Sequence, residues 1–459
     1  MDIRSKEFIE KLTAVVPSQR QLAWQQLEYY NFIHFGMNTM LGVEWGDGKA
    51  CASNFNPQAL DTDQWVQALQ ASGSRGVILT AKHHDGFCLF PSKYTDYTVA
   101  HSPFKNDIVA MLSQSCKKFG MKFGLYLSPW DRHEPTYGTP EYNDFFVNQL
   151  TELCTYYGEL FALWFDGACG EGNNGKKQVY DFPRYFETVR KLQPNAVTCI
   201  CGPDVRWIGN EAGNYRKSEF SVVPHELIIG KEVTLQNAGH DSNAVLHRSF
   251  NAMQPDLGSR VVLATASGYC WYPAEMDVSI TKGWFYREAD ERKTLKSVKK
   301  LSKIYYGSVG GNAALLLNVA PNKHGLISQA AAARLKEFGD KIKTDLQNVA
   351  SSQTVRDGET YTVKPDSAAK VSAVILQEDI TKSQRIERFE IYAAAGKRQK
   401  LVYRGTAVGY KKICLLRRPK FADTLIIKIL ECRAESYLKD VAVVLKPHAK
   451  CCAACKDAS

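Results

Sequence analysis

Over its first ~340 residues the chain repeats one unit, a short apolar run followed by a segment of helical periodicity. The apolar runs fall at 29–35, 76–80, 122–127, 160–165, 196–200, 261–266 and 313–319. Helical patterns lie between them at 62–70, 106–119, 140–157 and 179–192. Asp61 or Thr62 can cap the first, Gly120 ends the second and Pro194 stops the last. A strand that must pair parallel with its neighbour needs a crossover helix. Seven or eight such units over about 330 residues fit a (β/α)8-like barrel better than an open sheet. The stretch 218–235 is irregular and leaves the sixth strand unplaced.

The texture changes near 344–354. Short β-type runs at 360–363, 373–376, 388–392, 401–403, 412–415 and 424–428 are separated by turn residues. They predict a β-sandwich of about 100 residues. The expected fold class is therefore α/β plus all-β, a TIM-type barrel followed by a sandwich. The expected domains are a barrel over 1–343, a sandwich over 344–447 and a disordered Cys-containing tail over 448–459. Cys451, Cys452, Cys455 and His448 lie too close in sequence to frame a standard zinc loop. The 13 cysteines of this 459-residue chain have no regular spacing and their count is odd, which argues against a disulfide framework. Cys199 and Cys201 alternate on one predicted strand and read as core thiols.

Composition narrows the class. No apolar run approaches the ~18 residues needed to span a bilayer. The net charge is +10, yet no stretch interleaves basic residues with stacking aromatics as a nucleic-acid module does. The expectation is no nucleic-acid and no membrane partner. The charged start, Met1 to Glu7, lacks the apolar core of a secretory signal. That implies a cytoplasmic protein if this start is native, and a periplasmic or secreted one if a signal has been removed.

In a parallel barrel the C-terminal strand ends carry the site. Here four successive strand ends are crowded with polar and aromatic groups. Phe32-Ile33-His34-Phe35-Gly36 closes the first, and Lys82-His83-His84-Asp85-Gly86-Phe87 follows the second. Leu127-Ser128-Pro129-Trp130 follows the third, and Trp164-Phe165-Asp166-Gly167 ends the fourth. Packing alone does not require this. Glu211 lies 45 residues after Asp166, in Gly209-Asn210-Glu211-Ala212-Gly213. Two carboxyls on different strand ends, among His, Tyr and Trp, suggest glycoside chemistry. A metal site on His34, His83, His84 and Asp85 competes with that reading. Adjacent residues on an extended segment point apart, so His83 and His84 are expected to make a poor chelating pair.

His34-Phe35-Gly36, Glu44-Trp45, Lys82–Phe87, Trp164–Gly167 and Gly311-Asn312 with Leu315–Pro321, taken in order, resemble the α-L-fucosidases of glycoside hydrolase family 29. The stretches 207–213 and 271–286 resemble the subfamily specific for α-1,3/1,4 linkages. The resemblance implies that Asp166 is the nucleophile and Glu211 the acid/base. It implies that His34, Glu44, His83 and His84 hold fucose hydroxyls, with Trp45, Tyr126 and Trp164 lining the pocket and Trp284 against the sugar methyl. Trp130, His133, Trp271 and Glu275 are candidates for an aglycone site, with Glu219 and Glu275 as alternative acids. The pair Ala313-Ala314 departs slightly from the family's motif, within a predicted strand. The expected substrate is a fucosylated oligosaccharide, Lewis a/x or 3-fucosyllactose in type, hydrolysed with retention and without metal or organic cofactor. The alternatives are a broad-specificity fucosidase or a fucose-binding lectin-like protein. The sandwich is expected to be structural or to bind carbohydrate, and the oligomeric state is not legible.

Overall fold

The computed structural model describes residues 2–228 and 250–446. The Cys-containing tail lies outside them, as does the part of the irregular stretch 218–235 that follows Ile228. Eight parallel strands form the first sheet: β1 (Tyr29–Ile33), β2 (Gly76–Lys82), β3 (Lys122–Leu127), β4 (Ala162–Phe165), β5 (Val197–Ile200), β6 (Arg206–Trp207), β9 (Ala274–Ser279) and β10 (Ala313–Asn318). Their order is β5-β4-β3-β2-β1-β10-β9-β6, and a parallel bridge between Cys199 and Val205 closes the ring. A two-stranded antiparallel sheet, β7 (Val222–Pro224) with β8 (Tyr269–Trp271), sits outside it. The expected barrel is present.

The helices form where sequence supplies caps and stops. Asp61 accepts the N–H groups of Asp63 and Gln64 at the start of Thr62–Gln70. Asp107 caps Ile108–Phe119, and Gly120 ends it in the left-handed conformation at φ 67°. These helices bury Trp65, Val66, Leu69, Ile108 and Leu112 against the strands. Parallel strands covered on both faces read as continuous apolar runs, which is why most were legible.

One expected strand is wrong. Residues 261–266 are not a strand, because Ser259 accepts the N–H of Val262 and starts the helical turn Arg260–Leu263. The seventh barrel position is filled by β9, Ala-Glu-Met-Asp-Val-Ser, with every residue buried. Its two carboxyls hide it from an apolarity search. Glu275 and Asp277 share one face by the period of two, and that face points into the barrel. The sixth, β6, has only two residues.

The last barrel helix, Gln329–Leu346, ends just before β11 (Val349–Ala350). Two antiparallel sheets follow. One is β11-β19-β14-β17, with β14 (Ala369–Glu378), β17 (Lys412–Ala422) and β19 (Leu438–Leu445). The other is β12-β13-β18-β15-β16, with β12 (Ser352–Asp357), β13 (Thr360–Pro365), β15 (Ile386–Ala395), β16 (Arg398–Gly405) and β18 (Thr424–Cys432). Val363, Val374, Leu376, Phe389, Ile391, Ile427 and Val443 fill the space between them. Among the described residues no helix is long and apolar enough to cross a membrane.

A buried ion pair fixes the rim on the β2–β3 side. Lys82, fully buried at the end of β2, donates to Asp131 at 2.8 Å. Its ammonium also lies 5.1–5.8 Å from the ring centres of Tyr142, Phe145 and Phe146. Asp131 accepts the backbone N–H groups of His133 and Glu134 as well. Removing one partner of such a pair strands the other charge. Lys82→Met should therefore lower stability by about 3 kcal/mol, and adding Asp131→Asn should recover part of it. Thermal unfolding of the single and double variants tests this. An equal loss in both would assign the effect to packing of the lysine stem instead.

Candidate active site

Asp166 follows β4 directly, at the C-terminal rim. Tyr126 donates to its Oδ2 at 3.0 Å, and the Ala168 N–H donates to Oδ1 at 2.8 Å. His84 Nε2 stands 3.7 Å from Oδ2. Trp164 stacks on Tyr126, with ring centres 5.3 Å apart. These contacts orient the carboxylate and leave it partly open to the pocket.

Three imidazoles line the next strand ends, and their partners assign their protons. Asn318 donates through Nδ2 to Ser279 and to the Trp284 carbonyl, so its Oδ1 is an acceptor. His34 Nδ1 lies 2.9 Å from that oxygen and therefore carries the proton. Ser128 spends its hydroxyl proton on the Trp130 carbonyl, so His84 Nδ1, 2.7 Å from Ser128 Oγ, donates too. Both rings present a bare Nε2 acceptor. His83 is reversed. Asn38 Nδ2 lies 3.4 Å from His83 Nδ1 and donates to it, so the ring presents Nε2–H. Burial disfavours the charged form of all three. It pushes His34 down to about 3 and His83 well below the ordinary imidazole value. His84 is also lowered by burial, against the opposing pull of Asp166. The site offers neutral acceptors and a neutral donor to hydroxyl groups.

The expectation that His83 and His84 point apart is corrected. Their ring centres lie 4.0 Å apart. β2 ends at Lys82, with an irregularity between Thr80 and Lys82, so the two histidines sit in a turn rather than on a strand. Gly86, at φ 84°, lets that turn close against Asp131 and His133. Among the described residues no three His, Cys, Asp or Glu groups converge as metal ligands.

Glu44 reaches across from the β1 side. Its Oε2 accepts the Trp284 N–H at 2.9 Å, and Arg287 lies 3.6 Å from Oε1. Gly283, at φ 79°, lies against that oxygen where a Cβ would collide with it. Trp284 stands 5.1 Å from His34, ring to ring. Glu211 arrives on a loop that leaves β6, and its carboxyl hydrogen-bonds Trp284. The residue reaches solvent at the mouth while its carboxyl is desolvated from within. Burial raises its pKa first and the Asp166 charge second; Trp284 opposes and Glu44 adds a further push.

Asp166, Glu211, His34, Glu44, His83, His84, Tyr126, Trp164 and Trp284 are thus brought together. Trp45 joins them from the rim, 46% exposed and 6.1 Å from His84. Trp130 packs 4.8 Å from His84 and 5.7 Å from Trp45. His133 turns away, bonding the Gly48 carbonyl and stacking on Tyr97. Trp271 is not brought to the site. It precedes β9 at the opposite end of the barrel, packed with Phe8 and Leu12 and bonded to Gln25. Glu275 is fully buried in the barrel interior, accepting from Trp164 Nε1 at 2.8 Å and from the Tyr30 hydroxyl. It props the pocket wall rather than lining an outer cavity. Glu219 is locked between Arg206 and Arg216.

Sequence reading missed Asp277, Asn318, Ser128 and Asn38 as site residues. Asp277 accepts from Trp207 Nε1 at 2.7 Å and is held well above the usual carboxyl range, by burial first and then by Glu211. Its spacing of two from Glu275 was the available signal. A cavity of about 1150 Å³ lies elsewhere, between the loop that carries Glu211 and the sandwich. It is not lined by Asp166, Glu211 or the three histidines.

Comparison with known proteins fits this geometry. The family model for α-L-fucosidase matches residues 17–345. The chain is 44% identical over 338 residues to α-L-fucosidase 1 of Arabidopsis thaliana, covering 72% of this chain and 61% of that one. It thus spans about three-fifths of that relative's length. A Bacteroides ovatus crystal structure superposes with a TM-score of 0.88 at 43% identity, over 98% of this chain and 77% of the other. A glycoside hydrolase 29 family member from a rumen bacterium superposes with a TM-score of 0.81 at 32% identity, over 96% and 79%. The chain belongs to the α-L-fucosidase family, glycoside hydrolase family 29.

Proposed function

We propose that this protein is a retaining exo-α-L-fucosidase in which Asp166 is the nucleophile and Glu211 the acid/base, acting on α-1,3/1,4-linked fucose. One observation carries the reading: an oriented carboxylate at the floor, beside a second carboxyl whose pKa is raised by burial and then by the first one's charge. In the first step an Asp166 oxygen bonds to the anomeric carbon as the glycosidic C–O bond breaks. The Glu211 proton passes to the departing oxygen. In the second step the Glu211 carboxylate takes a proton from water. That water's oxygen displaces Asp166 and returns the sugar with its original configuration. The neutral histidines and Glu44 hold the ring hydroxyls, and Trp164, Tyr126 and Trp284 exclude water around them.

Replacing Asp166 by Ala should cost at least ~10³-fold in kcat/KM, because no ester forms. Added azide should restore part of the rate and yield β-fucosyl azide. A folded variant with near-normal activity would remove Asp166 from the reaction.

The proton inventory gives a pH prediction. Activity needs Glu211 protonated, so it should fall as pH rises through that group's raised pKa, above the ordinary ~4.3 of a glutamate. Asp166 raises this pKa, so Asp166→Asn should lower it. Carbon-13 NMR of the labelled Glu211 carboxyl in both proteins reads the sign. An unchanged or raised value would contradict the coupling.

For linkage, Trp45 and Trp130 pack edge to face at the rim and offer a surface for a branch sugar. Binding energy from that sugar can orient the scissile bond. Lewis a or Lewis x trisaccharide should exceed 2′-fucosyllactose and nitrophenyl fucoside in kcat/KM by ~10²-fold, about 3 kcal/mol. Comparable efficiency on all three would leave a broad-specificity fucosidase.

A further inference from the structure

The loop that brings Glu211 over the pocket is tied down at its root by buried charge. Arg206, in β6, donates to the Glu219 carboxylate, to the Phe220 carbonyl at 3.1 Å and to the Tyr272 carbonyl at 2.9 Å. Arg216 donates to Glu219 at 3.0 Å and to the Ile208 carbonyl at 3.0 Å, and so bridges the two ends of the loop. It also holds the carbonyls of Gln254 and Ala252. Asn210 closes the tip by accepting the N–H groups of Ala212 and Asn214 around Glu211.

The remaining ties come from the second domain and from Asn312 of the barrel. The Gln384 side chain, fully buried, accepts the Ser221 N–H at 2.8 Å and donates to the Glu219 carbonyl at 3.1 Å. That is the two-way pairing a neighbouring strand would make. Asn312, leading into β10, donates to the same carbonyl at 2.9 Å and accepts the Tyr410 N–H at 2.7 Å. Gly409, at φ 65°, makes that approach possible, since a Cβ there would enter the Asn312 amide. Thr406 and Lys412 both donate to the Lys217 carbonyl, at 2.7 and 3.4 Å. Behind the loop lies the 1150 Å³ cavity, lined by Ile208, Asn210 and Tyr215 on one side and Glu387 and Leu430 on the other.

We propose that the β-sandwich is part of the acid/base machinery, with Gln384, Thr406 and Lys412 acting as positioning residues that clamp loop 208–221 and hold Glu211 beside Asp166. The proposal rests on the reading of Glu211 as the acid. None of the three touches the sugar pocket. A shift of about 1 Å in a catalytic group can cost ~10²-fold, so a loosened clamp should register in the rate. The signature is specific. A displaced acid harms substrates whose leaving oxygen needs a proton and spares those that leave unaided. Moving Glu211 away from the Asp166 charge also lets its pKa fall.

The test compares wild type, Gln384→Ala, Thr406→Val and Glu211→Ala, each as the full chain with its melting temperature recorded. The substrates are a fucosylated trisaccharide and α-fucosyl fluoride. Glu211→Ala should lose far more on the trisaccharide than on the fluoride. Gln384→Ala should repeat that pattern at smaller size, with kcat/KM down about tenfold on the trisaccharide and less than ~2-fold on the fluoride. Its alkaline limb should move to lower pH. Thr406→Val should do the same more weakly, and it carries the comparison if Gln384→Ala does not fold. Equal losses on both substrates, or an unmoved pH limb, would make the clamp merely structural and overturn the proposal. Equal losses in Glu211→Ala itself would overturn the acid assignment first, and the proposal with it.

Discussion

The interaction on which the rest of this site turns is the repulsion between two carboxyls. Asp166 and Glu211 come from different strand ends, and the Asp166 charge opposes ionisation of Glu211. That opposition is strong only where water is scarce, since screening falls as the local dielectric falls. Trp164, Tyr126 and Trp284 supply the dry surroundings. The barrel supplies the placement, because closing a parallel sheet brings every strand's C-terminal end to one rim.

The same logic explains why the pocket's histidines are neutral. A charged imidazole beside Asp166 would offset its field and release the Glu211 proton at lower pH. Burial prevents this without any added charge. The hydrogen-bond partners then decide what each ring offers. Asn318 and Ser128 make acceptors of His34 and His84, and Asn38 makes a donor of His83. A ligand bearing several hydroxyls can satisfy such a mixed set, because each hydroxyl both donates and accepts.

The legible part of the fold was the part whose chemistry is uniform. Apolar strands flanked by capped helices announced β1 to β5 and β10. β9 was missed because Glu275 and Asp277 face the barrel interior, and a polar strand lacks the apolar signature. Residues 261–266 misled in the opposite sense, since two valines read as a strand while Ser259 quietly caps a turn. At the site, strand-end position located Asp166 and the histidines. It failed for Trp271, which precedes β9, and for Glu275, near the start of β9, because sequence had not found β9. The supporting groups Asn318, Ser128 and Asn38 look like ordinary polar residues. Only the three-dimensional hydrogen bonds show that they set the protonation of the rings.

A final constraint joins the two domains. The loop after β6 is long, and β6 itself has two residues, so the strand end alone cannot aim Glu211. A buried ion triad and a buried glutamine tie the loop down. Such groups cost desolvation and give little net stability. What they provide is one geometry, since a carboxylate held by two guanidinium groups and an amide paired both ways with backbone have few alternative arrangements. Under the proposed assignment the barrel places the nucleophile by topology, whereas the acid depends on the sandwich and its polar ties. On this view the second domain persists for the reaction as well as for the fold.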